Sequence, residues 1–164
     1  GTAVKRIRAA VQGRRDPGFL VMARTDIRGV EGLAAAADRA RALVDAGADA
    51  IVAAAVAVLA AIAAIRAAVD VPVLANMTEF GKSELFTTQQ LADVGVNIVI
   101  YPVTLLRSAM GAAERTLDLI ASEGTQQAAV GEMQTRARLY ELLDYEAYNT
   151  FDSSVFNFKM PSAR

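Results

Sequence analysis

The residues best equipped for chemistry stand where apolar runs stop. Asn76, Thr78 and Glu79 follow the run Val73-Leu74-Ala75, and Arg24-Thr25-Asp26 follows the apolar stretch 19–23. Both sets lie just past a buried-strand pattern, and the C-terminal ends of strands carry the site in barrel and open α/β folds. The sequence contains neither cysteine nor histidine. That excludes disulfides, Cys/His metal sites, thiol nucleophiles and imidazole acid–base catalysis within the chain. Catalysis would have to run on Arg, Lys, carboxylates, Tyr or hydroxyls. The plain alternative is an ordinary βα loop, in which Asn76 and Thr78 satisfy backbone groups.

The elements that would position these residues alternate along the chain. A short helix over 3–11, with Val4, Ile7 and Val11 on one face, leads through a turn at Gly13 and Asp16-Pro17-Gly18 into a strand over 19–23. A helix over 32–46 ends at Gly47, which suits the left-handed position after a helix. A strand over 50–53 and a helix ending near Val69 follow. The strand at 73–75 shows no polar alternation, so coverage on both faces is expected, and Pro72 is tolerated at its start. Thr87 and Gln90 form a plausible capping box for a helix that stops at Gly95. A strand over 97–101, a long helix over 104–122, a helix over 130–143 and an aromatic-rich arm over 144–164 complete the reading.

The string Leu43-Val44-Asp45-Ala46-Gly47-Ala48-Asp49-Ala50-Ile51-Val52 is echoed by Leu91-Ala92-Asp93-Val94-Gly95-Val96-Asn97-Ile98-Val99. Each is a helix end, a glycine stop and a buried strand. The repeating unit is therefore αβ, and four strands alternating with helices indicate a parallel sheet. Four βα units amount to half of an eight-stranded (β/α)8 TIM-type barrel, for which about 250 residues are typical. Residues 1–143 are read as this half-barrel with its following helices, and 144–164 as a C-terminal arm, together a single partial domain. An open, doubly wound four-stranded sheet is the competing architecture.

The chain has 164 residues, of which 54% are hydrophobic, and a net charge of −1. Interspersed charges of both signs give no nucleic-acid stripe and no polybasic membrane patch, which leaves small molecules as the expected partners. The opening Gly-Thr-Ala-Val-Lys-Arg-Ile-Arg has no initiator Met and no signal-peptide pattern, and reads as a chain cut from something longer. Residues 50–65 contain only Ala, Val, Leu and Ile. Such a run is shorter than the roughly 20 residues a membrane span needs. It reads instead as a helix covered by a partner, or as a segment whose side chains were replaced by alanine, by design or through uncertain assignment. The dominance of alanine fits the last best.

Taken in order, Met22-Ala23-Arg24-Thr25-Asp26, the run 74–81, Leu85-Phe86-Thr87-Thr88, Tyr101-Pro102, Arg107, Gly124-Thr125-Gln126 and Met133-Gln134-Thr135-Arg136 give the chain a family likeness. It resembles the C-terminal part of the methylisocitrate lyases, in the isocitrate lyase/phosphoenolpyruvate mutase superfamily, over roughly residues 3–148. The resemblance implies a cytoplasmic enzyme, mitochondrial in a eukaryote. It would be a homo-oligomer, usually a tetramer exchanging C-terminal helices, that uses Mg²⁺ to cleave 2-methylisocitrate to pyruvate and succinate in propionate breakdown. It further implies Arg24 as the catalytic arginine, and Asn76, Met77, Thr78, Arg107 and Arg136 as substrate contacts.

The family's Lys-Lys/Arg-Cys-Gly-His motif and its Mg²⁺-binding aspartates belong to an N-terminal half that these residues do not match. The family's active-site glutamate falls at Ala54, with Ala53 where proline is usual, and residues 152–164 depart from the expected tail. This chain is thus expected to supply only part of a substrate pocket and to be inactive alone. Two further functions compete: a non-catalytic interaction module or engineered half-barrel that pairs through its open edges, and a superfamily lyase acting on a different 2-hydroxy polycarboxylate.

Overall fold

The computed structural model describes residues 1–26, 32–53, 58–81 and 83–156. The chain divides into two compact units, Gly1–Met110 and Gly111–Arg164. In the first, α1 (Thr2–Gly13) precedes β1 (Met22–Thr25), α2 (Leu33–Val44), β2 (Ala50–Ala53), α3 (Leu59–Ala67), β3 (Val73–Asn76), α4 (Thr88–Asp93) and β4 (Ile98–Ile100). Helix α5 (Thr104–Glu123) begins in the first unit and ends in the second. The second unit continues with a 3₁₀ turn (Gln127–Glu132), α6 (Arg136–Leu142) and α7 (Tyr145–Phe156).

All strand pairs are parallel, and the sheet order is β1-β2-β3-β4. In-register partners on parallel strands share a face. One face therefore carries Ala23 and Thr25, Ile51 and Ala53, Val73 and Ala75, and Val99. These pack with Ala36, Ala40 and Leu43 of α2, Ala61, Ile62 and Ile65 of α3, Leu91 of α4, and Val4 and Ile7 of α1. The opposite face carries Met22, Arg24, Ala50, Val52, Leu74, Asn76, Ile98 and Ile100, of which Met22, Arg24, Ile98 and Ile100 are exposed while Ala50 and Leu74 are buried. The helices pack on the first face. Val73, Leu74 and Ala75 are all buried, as the lack of polar alternation predicts, with Val73 and Ala75 packed under the helices.

Sequential order and one-sided helices decide between the two architectures. A doubly wound sheet reverses its strand order at a switch point and places helices on both faces. Here each strand pairs with the next, as in an arc of a (β/α)8 barrel.

The αβ echo is built from the same contacts twice. Gly47 N–H donates to Val44 O at 2.8 Å and Ala48 N–H to Leu43 O at 3.1 Å; Gly95 N–H donates to Ala92 O at 2.8 Å and Val96 N–H to Leu91 O at 3.0 Å. These are Schellman closures with glycine in the left-handed region, at φ 101° and 81°. At Gly47 a Cβ would also come within 3.1 Å of the Val11 side chain. The expected capping box is present: Thr87 Oγ1 accepts from Gln90 N–H and Gln90 Oε1 from Thr87 N–H.

Three further expectations change. The strand placed at 19–23 is observed at Met22–Thr25, with Phe19 and Leu20 66% and 65% exposed. Phe19 is held by the preceding turn: its N–H donates to Asp16 O at 3.0 Å and its carbonyl accepts from Arg14 Nη1 at 3.0 Å. Arg24 consequently lies inside the strand rather than beyond it. The helix placed at 130–143 is a 3₁₀ turn and a separate α6, because Met133 is extended and Thr135 caps a new start, its Oγ1 accepting from Arg138 N–H at 3.2 Å. The arm is helical as α7 up to Phe156, after Asp144 at φ 49°, and the Tyr140 and Tyr145 rings stack at 4.5 Å.

The apolar run 50–65 is not one element. It divides into the buried β2 and the short α3, which turns Ala61, Ile62 and Ile65 inward and sets Ala60 and Ala67 outward. No described helix is long and apolar enough to cross a membrane. Residues 54–57, which include the position matched to the family glutamate, lie outside the described residues, as does the tail from 157.

Candidate functional site

Asn76 closes β3, on the face not covered by helices. Its Oδ1 is buried and has no hydrogen-bond partner among the described residues. Such an atom costs stability unless something donates to it. Met77 behaves differently: its side chain is in the core, its N–H donates to Ile100 O at 2.9 Å, and its sulfur accepts from Phe86 N–H at 3.4 Å. It anchors the loop and has only its carbonyl left to offer a ligand.

From Thr78 onward the loop is fastened to the start of α5. Arg107 Nη1 donates to Glu79 Oε2 at 2.8 Å, to Glu79 O at 2.8 Å and to Thr78 Oγ1 at 3.3 Å. Thr104 Oγ1 donates a short hydrogen bond to Glu79 Oε1. The guanidinium carbon of Arg107 lies 5.3 Å from the centroid of the Phe80 ring, within cation–π range. Phe80 itself sits at φ 59°, a conformation that a bulky residue keeps only when its surroundings impose it. The Glu79 carboxyl is held below its usual range, chiefly by the Thr104 hydroxyl and then by its own backbone N–H; burial opposes them, and Arg107 adds the least.

Arg24 shares with Asn76 the sheet face opposite the packed helices. In register it is level with Val52 and Leu74, one pleat before Asn76 and two strands away. Its Nε donates to Asp26 Oδ1 and Oδ2 at 3.2 and 3.0 Å, and its Nη2 to Oδ1 at 3.0 Å. That fork–carboxylate grip raises the guanidinium pKa, through the hydrogen bonds first and the charge second, so Arg24 is a permanent cation. The pair is 65% and 55% exposed, and exposed ion pairs are worth at most about 1 kcal/mol, so a ligand carboxylate can compete for the fork.

The structure thus joins Thr78 to Arg107 directly and sets Arg24 and Asn76 on one face. Arg136 is the first residue of α6, exposed, and belongs to the second unit. Sequence reasoning placed Glu79 among the polar residues after β3 but gave it no partner, and did not single out Thr104, although together they fix Arg107. Their spacing from the loop gives no local signal; only the Thr104–Arg107 helical spacing hints at a shared face. For Mg²⁺ the donor set does not fit: no three acidic side chains converge among the described residues.

Residues 1–121 match the phosphoenolpyruvate phosphomutase family. The chain belongs to that family. It is 55% identical over 159 residues to a probable 2-methylisocitrate lyase 2 of Corynebacterium glutamicum, covering 97% of this chain and 52% of the relative. It is 46% identical over 153 residues to the 2-methylisocitrate lyase of Escherichia coli, covering 93% and 52%. Among solved structures, a phosphonopyruvate hydrolase in complex with oxalate and Mg²⁺ superposes with a TM-score of 0.74 at 25% identity, over 92% of this chain and 54% of that one. The chain spans about half the length of the curated relatives it matches, and those relatives are lyases by name.

Proposed function

We propose that this chain supplies one wall of the substrate pocket of a carbon–carbon lyase that cleaves 2-methylisocitrate to pyruvate and succinate. The observation that carries the reading is Arg24, on the same sheet face as Asn76 and already gripping the Asp26 carboxylate through Nε and Nη2. In the reaction the substrate hydroxyl loses its proton and becomes the pyruvate carbonyl as the adjacent carbon–carbon bond breaks. The electron pair passes to the other fragment as a carboxylate-conjugated enolate, which takes a proton to give succinate. Arg24 would hold the developing enolate or carboxylate charge, an interaction that strengthens towards the transition state. Asn76 Oδ1 would accept from the substrate hydroxyl, and Thr78 and Arg107 would orient carboxylates, with Met77 anchoring the loop. Neither proton transfer is assigned to a residue of this chain.

Mg²⁺ would supply further charge neutralisation from ligands outside these residues, as the related oxalate and Mg²⁺ complex suggests. A cytoplasmic homo-oligomer with exchanged C-terminal helices belongs to the same reading. Exposed Leu117, Ile120, Tyr148 and Phe151 support such exchange. The reading is tested by pyruvate release from 2-methylisocitrate with Mg²⁺. The 164-residue chain alone should release none, whereas a longer polypeptide containing it should, and R24A in that polypeptide should lower kcat. Turnover by the chain alone overturns the one-wall assignment. A panel of 2-hydroxy di- and tricarboxylates separates this substrate from that of another superfamily lyase.

The outer edges of β1 and β4, unpaired among the described residues, favour a second reading, association through the sheet. A stable monomer in sedimentation would remove its support.

A further inference from the structure

Arg107 and Arg24 use opposite parts of the same fork. Arg24 grips the Asp26 carboxylate with Nε and Nη2, at 3.0 to 3.2 Å. Arg107 makes all three of its hydrogen bonds with Nη1, and its Nε and Nη2 have no hydrogen-bond partner among the described residues. One face of its guanidinium lies against the Phe80 ring. What remains to Arg107 is the edge that Arg24 shows to be suited to a carboxylate.

We propose that Glu79 is a positioning residue that fixes Arg107 by Nη1 and so presents its Nε/Nη2 edge to a carboxylate of the ligand. The proposal rests on reading Arg107 as a substrate contact. Both oxygens of Glu79 are engaged, Oε1 by the Thr104 hydroxyl and Oε2 by Arg107 Nη1, so the carboxylate cannot swing away without giving up both. Thr104 and Arg107 are three residues apart and share a face of α5, so one carboxylate ties that face to the loop after β3. Glu79 O and Thr78 Oγ1 complete the seat. The same contacts, the Thr104 hydroxyl foremost, lower the pKa of the Glu79 carboxyl.

The alternative roles predict the opposite sign. Were Glu79 merely a neighbouring negative charge, or a competitor for the fork, its removal would tighten anion binding. As a positioning residue, its removal weakens it.

The test uses ¹⁵N-arginine spectra of the 164-residue chain, reading the heteronuclear NOE of Arg107 Nε and its shift on titration with succinate. In the wild type Nε is expected to be as ordered as the backbone. E79Q, which keeps the length but cannot serve both partners as a carboxylate, should release Nε and weaken succinate about tenfold, the scale of one lost charge-assisted hydrogen bond. T104V removes only the hydroxyl that holds Oε1 and should loosen Nε less, with about threefold weaker binding. An unchanged Nε order in E79Q, or tighter succinate binding, overturns the proposal. If E79Q does not fold, an unchanged Nε order in T104V does so. Loss of Nε order in E79Q, with no succinate shift at Arg107 in the wild type, upholds the anchoring by Glu79 and overturns the substrate reading of Arg107.

Discussion

The two rims of the sheet use the same kinds of residue to different ends. Before β2, Asp49 Oδ2 accepts from Val21 N–H at 2.8 Å and from Arg14 Nη1 at 2.8 Å; before β4, Asn97 Oδ1 accepts from Val73 N–H at 3.0 Å. Both stand at the same place in the αβ echo, and both stitch a strand to the one before it. Towards the strands' C-terminal ends, Asn76 Oδ1 is buried without a partner among the described residues, and Arg24 holds only an exposed neighbour. Polar groups committed to the backbone stabilise the fold, and polar groups with capacity left over bind something else. This is the division between bottom and top faces that barrel folds show generally.

Substitutions at the two rims should separate stability from binding. The largest loss is expected for D49A, which leaves Val21 N–H and Arg14 without their acceptor. About 2–3 kcal/mol of destabilisation should appear in urea unfolding. G47A forces a side chain into φ 101° and against Val11, and should cost about 2 kcal/mol in the same measurement. N97A removes one neutral acceptor and should cost about 1 kcal/mol. At the other rim the order inverts: N76A and R24A should each change stability by no more than about 0.5 kcal/mol, yet R24A should abolish the succinate shift of neighbouring resonances. A loss at Asn76 as large as that at Asp49 would erase the distinction between the rims.

The smallest effect is on pH dependence. Because the folded Glu79 carboxyl titrates below its usual range, its stabilisation is complete above the unfolded value of about 4.3 and is lost as pH falls through the folded value. Stability curves of wild type and E79Q should therefore run parallel at neutral pH and converge in acid. Release of Arg107 Nε should follow the same titration, and release already at about pH 6, above the unfolded carboxyl value, would contradict the Glu79 anchor.

Much of this was legible because it is local. Apolar runs of strand length, Thr87 with Gln90, and glycines at 47 and 95 each encode their conformation within a few residues. The start of β1 was not legible, since Phe19 and Leu20 look like strand residues until Asp16 and Arg14 take Phe19's backbone groups. The break before α6 was hidden because 130–143 keeps helical spacing across Met133. In the site, the run 76–79 announced itself as the end of a strand, but the bond between Glu79 and Arg107 joins distant segments and leaves no periodic trace.

Local pattern was enough to set the alternation of helices and strands, the ends of the αβ repeats and the residue types gathered at the strand ends, because backbone preference and apolar spacing act over one or two turns. Long-range packing settled that the strands run in the order β1-β2-β3-β4 with the helices on one face, and that Arg107 commits Nη1 to Glu79 and leaves the Nε/Nη2 edge unpaired among the described residues. Those features depend on which segments meet across the fold, and contacts between distant residues are set by packing and crossover geometry rather than by any local pattern.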